Sequence, residues 1–254
     1  ARATSQDFLH WSEPVDLELN GQPREHLYTN QIAPYFRAPH LYLGMPTRYF
    51  PGRRVVTEEE AHKIGTPQEW NYVNDCTDIQ FISTRGGPGL ARTFMEAFIR
   101  PGADLRNWTS RASYAARGIV QTGARELSFY VKHHSGYKSI HLRRYTIRPD
   151  GFVSVSAPYA GGELVTKPFT FSGKSLLLNF ASSAAGGIKV ELQTPNGHAI
   201  EGFSVGACTE IIGDRIEHLV RWKNSSDLSP LNGKPIRMRI IMKDANLFSF
   251  RFAE

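Results

Sequence analysis

Chemistry in this sequence concentrates around Arg92-Thr93-Phe94-Met95-Glu96-Ala97-Phe98-Ile99-Arg100. The stretch alternates strictly. As a strand it puts Phe94, Glu96, Phe98 and Arg100 on one side and Met95, Ala97 and Ile99 on the other. A carboxylate between two aromatics, two residues from an arginine on the same face, is costly to bury unless it is paired or in use. Two readings follow: an Arg100 to Glu96 ion pair, or a carboxyl group with a tuned pKa at a sugar site. Partner carboxylates come from Asn74-Asp75-Cys76-Thr77-Asp78, which leads into a strand from Ile79 to Ser83. That strand pairs with Thr93 to Arg100 across the turn Arg85-Gly86-Gly87-Pro88-Gly89 and brings Asp75 or Asp78 toward Glu96. The glycines follow a strand but open no helix, so turn geometry explains them better than phosphate binding does.

In the glycosidase reading Glu96 is the general acid and Asp78 or Asp75 its partner. Such enzymes hold two carboxyl groups about 5 to 5.5 Å apart for retention, or about 6.5 to 9.5 Å apart for inversion. Arg37, His40 and Arg85 would bind sugar hydroxyl or carboxylate groups, and Tyr28, Tyr35 or Trp70 would stack on the ring. Each also has a plainer role: Asp75 as a turn cap, Arg37 on a backbone carbonyl, His40 as a satisfied loop residue. The alternatives to an enzyme are a non-catalytic carbohydrate-binding module and a structural β protein. Replacing Glu96 with Gln separates them, since only the enzyme loses turnover while keeping binding.

Composition narrows the field. The 254 residues are 41% hydrophobic and 21% charged, ordinary for a globular protein and enough for a sizeable core. No apolar run approaches the roughly 20 residues that span a bilayer, and the first residues lack a signal-peptide pattern, so any secretion signal lies outside this chain. The net charge of +6 is spread without a basic, aromatic-interleaved stripe, which argues against nucleic acid. Cys76 and Cys208 are too few for a disulfide scaffold or a zinc site. Adjacent His133 and His134 face opposite ways on a strand, poor geometry for a shared metal, and are expected to be solvated or packed. No cofactor or metal motif is present, although calcium held by backbone carbonyls and water would leave none.

The elements that must position these residues read as β throughout. Ser5-Gln6-Asp7-Phe8-Leu9-His10-Trp11 is a turn with an aromatic plug, and Ala103-Asp104-Leu105-Arg106-Asn107-Trp108 repeats its Asp-x-x-x-Trp pattern. A repeat of this kind suggests stacked antiparallel sheet modules. Pro34, Pro39 and Pro46 keep the intervening strands short. Thr57 with Glu60 forms a capping box and Gly65 closes a helix near 57–65, part of an insertion from about Arg53 to Trp70. Gly118 to Thr122, Glu126 to His133, Ser139 to Arg148 and Phe152 to Ser156 are expected as four successive strands, with a hairpin at Asp150-Gly151. The expected division is 1–158 for these modules and 159–254 for a β-sandwich. In the latter Leu176, Leu178 and Phe180, then Ile188, Val190 and Leu192, then Ile236, Met238, Ile240 and Met242 line a dry core.

The Ser5 to Trp11 turn resembles the blade motif of the five-bladed β-propeller glycoside hydrolases, the invertase and fructanase group and its arabinanase and xylosidase relatives. His26-Leu27-Tyr28-Thr29-Asn30-Gln31, Tyr35-Phe36-Arg37-Ala38-Pro39-His40, Thr84-Arg85-Gly86-Gly87 and Phe94-Met95-Glu96-Ala97-Phe98 are similar to bacterial proteins described as glycosyl-hydrolase-like. The resemblance implies an all-β chain of partial β-propeller blades, antiparallel four-stranded modules, followed by a C-terminal β-sandwich, with a carbohydrate as partner. The sequence departs from the invertase pattern at two places. No Trp-Met-Asn-Asp-Pro-Asn nucleophile segment is present, and Glu96 is followed by Ala97 rather than Cys. The resemblance therefore implies a C-terminal portion with roughly two to three blades of five. Uncovered blades leave exposed edges, which predicts a homo-oligomer whose chains complete each other's propeller.

Overall fold

The computed structural model describes residues 1–67, 73–109, 111–223 and 225–254. Those residues form an all-β chain of antiparallel sheets. It divides into two compact units, 1–146 and 147–254, where the sequence suggests a boundary at 158/159.

The first unit contains β1 (His26–Leu27), β2 (Ala33–Tyr35), β3 (Ala38–Gly44), β4 (Thr47–Pro51), α1 (Glu58–Lys63), β5 (Asp75–Ile79), β6 (Ile82–Thr84), β7 (Tyr114–Ala115), β8 (Val120–Gly123), β9 (Glu126–His133) and most of β10 (His141–Ile147). They make three sheets, ordered β1-β4-β5, β2-β3-β6 and β10-β9-β7, with β8 also on β9. Short strands follow from the prolines, which cannot donate to a ladder. Thr57 caps α1: its hydroxyl accepts from the Glu60 amide, and the Glu60 carboxylate accepts from the Thr57 amide at 2.9 Å. Gly65, at φ 70°, ends the turn in the left-handed region.

Two expectations for this unit change. Residues 92–100 are not a regular strand; isolated bridges Ser83–Ala91 and Ile79–Ile99 tie the segment to its neighbours. Side chains take the place of a ladder, because Gln80 Nε2 donates to the carbonyls of Met95 (3.1 Å) and Glu96 (2.9 Å), and Arg48 Nη1 donates to Met95 (2.8 Å). The fourth strand of the last sheet is β7 rather than the segment after Asp150. Asp150 sits at φ 57° in a turn closed by Gly151 N on Arg148 O (3.0 Å), and the chain goes on to pair in the second unit.

Both Asp-x-x-x-Trp turns use one device. Asp7 Oδ1 accepts from the amides of Leu9 (2.9 Å) and His10 (2.8 Å), and Asp104 Oδ1 accepts from Arg106 N (3.0 Å) to cap the 3-10 helix Leu105–Asn107. Near the second turn, His133 and His134 are both buried, and both rings lie against His141, with centroids 5.7 and 4.8 Å away. Packing, not solvation, is their role.

The second unit is one five-stranded sheet. β11 (Val155–Ala157), β15 (Arg237–Ala253), β13 (Ser175–Gln193) and β14 (Asp214–Leu219) follow in that order, and β12 (Gly162–Val165) also pairs with β15. β13 and β15 run antiparallel from Ser175–Ala253 to Gln193–Arg237, and bulges between Asn179/Phe180 and between Ser182/Gly187 bend the pair. Gly186 lies at the second bend, where a Cβ would collide with the carbonyl oxygens of Lys243 and Asp244. Alternation places Leu176, Leu178, Phe180, Ile188, Val190 and Leu192 in one fully buried cluster with Met238, Ile240 and Met242. Arg148 closes its edge, donating to Asn179 Oδ1 (3.0 Å), Asp214 Oδ1 (2.7 Å) and the carbonyls of Phe180 and Arg215.

Candidate functional site

The β1-β4-β5 sheet sorts the site residues. β4 and β5 pair as Pro51–Asp75, Tyr49–Thr77 and Arg48–Asp78, while His26 on β1 lies opposite Tyr49. Side chains alternate along a strand, so Asp75 and Asp78, three residues apart, lie on opposite faces. The two aspartates head separate constellations.

On the Asp78 face the carboxylates are held in ion pairs. Arg48 grips Asp78 bidentately, Nε to Oδ1 at 2.9 Å and Nη2 to Oδ2 at 2.6 Å, and reaches Glu25 at 3.3 Å. Arg92, whose side chain is wholly buried, ion-pairs with Glu25 and donates to Gln80 Oε1 (3.1 Å) and Pro23 O (3.2 Å). Burial pushes the Glu25 carboxyl up, but the Arg92 hydrogen bond and the charges of Arg48 and Arg92 outweigh it and hold Glu25 below the usual range. Two guanidinium groups against two carboxylates balance in charge, an arrangement that fixes structure, although Arg92 Nε is buried without a hydrogen-bond partner among the described residues. Both carboxylate oxygens of Asp78 are occupied by Arg48. Glu25 also lines a cleft of about 730 Å³ with Asn30, Tyr42, Thr84 and Gly86.

On the Asp75 face the groups are largely aromatic, with Tyr28 and His26 exposed and Tyr49, Asp75 and Tyr114 half-buried. Tyr49 Oη donates to Asp75 Oδ2 at 2.9 Å, while Asp75 Oδ1 is buried without a hydrogen-bond partner among the described residues. Tyr49 meets His26 edge-on at 6.3 Å. Thr77 Oγ1 accepts from Ser113 N (3.2 Å) and Thr47 Oγ1 donates to Ser113 O (3.3 Å), which seats β7 beside this sheet. Tyr114, next in the chain, therefore arrives here, and Tyr28 packs edge-on against it at 6.0 Å. Tyr28 is 66% exposed. Opposite Tyr114 on β9 stands Lys132, its Nζ 4.3 Å from the Tyr114 ring centre. The Tyr49 phenol is pushed up, first by its hydrogen bond to Asp75 and then by burial; the Tyr114 phenol is pushed up chiefly by burial. Burial pulls the Lys132 ammonium down. Both phenols stay protonated at neutral pH and keep their O–H.

The sequence candidates divide accordingly. Asp75 and Tyr28 belong to the tyrosine face and Asp78 to the ion-pair cluster. Glu96 is exposed, and its carbonyl is what Gln80 holds. Tyr35 is buried against Phe36, Arg37 is half-buried, and His40 is exposed on β3, so all three belong to the β2-β3-β6 segment. Arg85 is exposed in the turn after β6. Trp70 lies outside the described residues. Tyr49, Tyr114, Lys132, Arg48, Glu25 and Arg92 were missed; alternation through Thr47, Tyr49 and Pro51 was the one local signal for any of them. No group of three or more His, Cys, Asp or Glu among the described residues is placed to hold a metal ion.

No protein-family model matches the chain, and no curated protein matches it in sequence. Among solved structures it is similar to a glycoside hydrolase family 43 arabinoxylan arabinofuranohydrolase from Bacillus subtilis, solved in complex with cellotetraose. The identity is 13% and the TM-score 0.24, over 89% of this chain and 53% of that one. The chain thus spans about half the length of that structure, and a likeness so distant carries no argument about the site.

Proposed function

We propose that the chain is a carbohydrate-binding protein whose first unit holds a saccharide against Tyr28. The observation that carries this reading is the joining, on one face, of an exposed tyrosine, a second tyrosine beneath it and a carboxylate oriented by a third. Aromatic rings stack on the C–H faces of sugars, and phenol and carboxylate groups exchange hydrogen bonds with sugar hydroxyls. Calorimetric titration with xylan- and pectin-derived oligosaccharides tests it. Tyr28→Ala and Tyr114→Ala are each expected to weaken binding by about tenfold or more, since 1.4 kcal/mol is a factor of ten. Unchanged affinity in both variants would sink the reading.

One observation favours glycoside hydrolysis at the same face: the buried oxygen of Asp75 that has no hydrogen-bond partner among the described residues. With Asp78 gripped by Arg48 and Glu96 exposed, Asp75 is the aspartate available for chemistry. Under this second reading Asp75→Asn abolishes turnover of aryl-glycosides and spares binding, whereas Glu96→Gln changes neither, because the Met95–Glu96 segment is held by Arg48 and Gln80 on the Asp78 side of the sheet.

A further inference from the structure

The tyrosine face carries more positive charge than it neutralises. Lys132 is half-buried, and among the described residues its ammonium makes no ion pair or hydrogen bond; its contact is the Tyr114 ring. Arg111, adjoining Tyr49 and Tyr114 closely enough for its charge to ease the ionisation of both phenols, likewise forms no ion pair among the described residues. It is exposed and held at φ 58°. Asp75 is the facing carboxylate, already engaged by Tyr49, and His26 is exposed beside it. An ammonium that has lost part of its hydration without gaining an anion is costly in the free protein, and an anionic ligand removes that cost. The cation–π contact fixes Nζ over Tyr114, next to the exposed ring of Tyr28 on which a sugar would lie.

Resting on the saccharide reading above, we infer that the sugar bound here is anionic, a uronate or sulfate ester whose charged group pairs with Lys132 while its ring stacks on Tyr28. Carboxylate and sulfate offer the same chemistry to an ammonium and are told apart by probe. The full chain is titrated with polygalacturonate and with dextran sulfate, and with their uncharged counterparts, fully methyl-esterified polygalacturonate and dextran. At least one charged polymer binds about tenfold or more tightly than its neutral counterpart, and whichever does so names the group. Lys132→Gln removes that preference, and Lys132→Arg restores it. Lys223→Gln, at an exposed position in the second unit, makes the same change in net charge and leaves the preference intact. Equal binding of charged and neutral polymers overturns the inference but not the saccharide reading, and so does equal loss in Lys132→Gln and Lys223→Gln, which would mean general attraction to a chain of net charge +6. If no polymer binds, and Tyr28→Ala changes nothing, both fall.

Discussion

Replacing Arg92 with Met is expected to destabilise the first unit by about 3–5 kcal/mol, the range for breaking a buried ion pair from one side. The Arg92 side chain is fully buried, and its removal leaves Glu25, Gln80 and the Pro23 carbonyl with lost partners at once. Among the described residues the Glu25 carboxylate retains only the longer contact to Arg48 at 3.3 Å. A second substitution, Glu25→Gln, removes the stranded charge, so the double variant is expected to recover more than 1 kcal/mol of the loss, within the range of couplings seen for residues in contact. Denaturant unfolding of wild type, both single variants and the double variant measures this. Additive losses would mean that the two groups are independent, against the geometry. The outcome also bears on function, because this cluster holds one face of the sheet whose other face carries Asp75 and Tyr49.

Stability is also expected to fall on mild acidification, and His133 is the main cause. Burial, then the charges of Arg143, His141 and His134, pull its pKa down from 6.5 to about 4, against a weaker opposing pull from Asp104. Its Nε2 meets Tyr145 Oη at 3.0 Å, and its Nδ1 is buried with no partner among the described residues. Burial shifts His134 the same way, partly offset by Asp104, whose carboxylate lies 3.2 Å from its Nε2. The sign follows from proton counting. Between the folded and unfolded values the unfolded chain binds more protons, so this stability is full above about pH 6.5 and drains away toward pH 4. For His133 alone the loss is about 3 kcal/mol in full and about 2 kcal/mol between pH 7 and pH 5, a window that lies above the titration of unfolded carboxylates. His133→Phe keeps a ring in the stack with Tyr145 and His141. Its unfolding free energy should change by at least 1 kcal/mol less across that window, a conservative fraction of the linked term. An identical pH dependence in wild type and variant would refute the assignment.

How much of this was legible depends on whether the cause is local. The second unit's core was readable because Leu176, Leu178 and Phe180 alternate with period two and the same pattern recurs at Met238, Ile240 and Met242. The α1 cap was readable because Thr57 and Glu60 satisfy each other within one turn. Arg92 to Arg100 has the same alternation as those strands, yet the carbonyls of Met95 and Glu96 go to the side chains of Gln80 and Arg48, partners that no periodicity reveals. The exposure of Glu96 follows from that substitution.

For the site, the sequence reading began its strand at Ile79, whereas β5 runs Asp75–Ile79 and carries both aspartates. Two aspartates three positions apart face opposite ways, so they could not be alternatives for one role. Which face held which chemistry depended on pairings distant in sequence: Arg48 with Asp78, Arg92 with Glu25, and Ser113 with Thr47 and Thr77. Tyr28 was singled out for its type and place in the chain, whereas Tyr114 and Lys132 became visible only once β7 was seated against the neighbouring sheet.

The most direct test of the account is two-dimensional NMR of the full chain with ¹³C-labelled tyrosine rings, followed as pectin- and xylan-derived oligosaccharides are added. The ring signals of Tyr28, Tyr114 and Tyr49 are expected to shift together along one saturating curve, while Tyr159, exposed in the second unit, stays in place. Saturable binding that moves Tyr159 and leaves those three unchanged would contradict it, as would no movement of any tyrosine at saturating sugar.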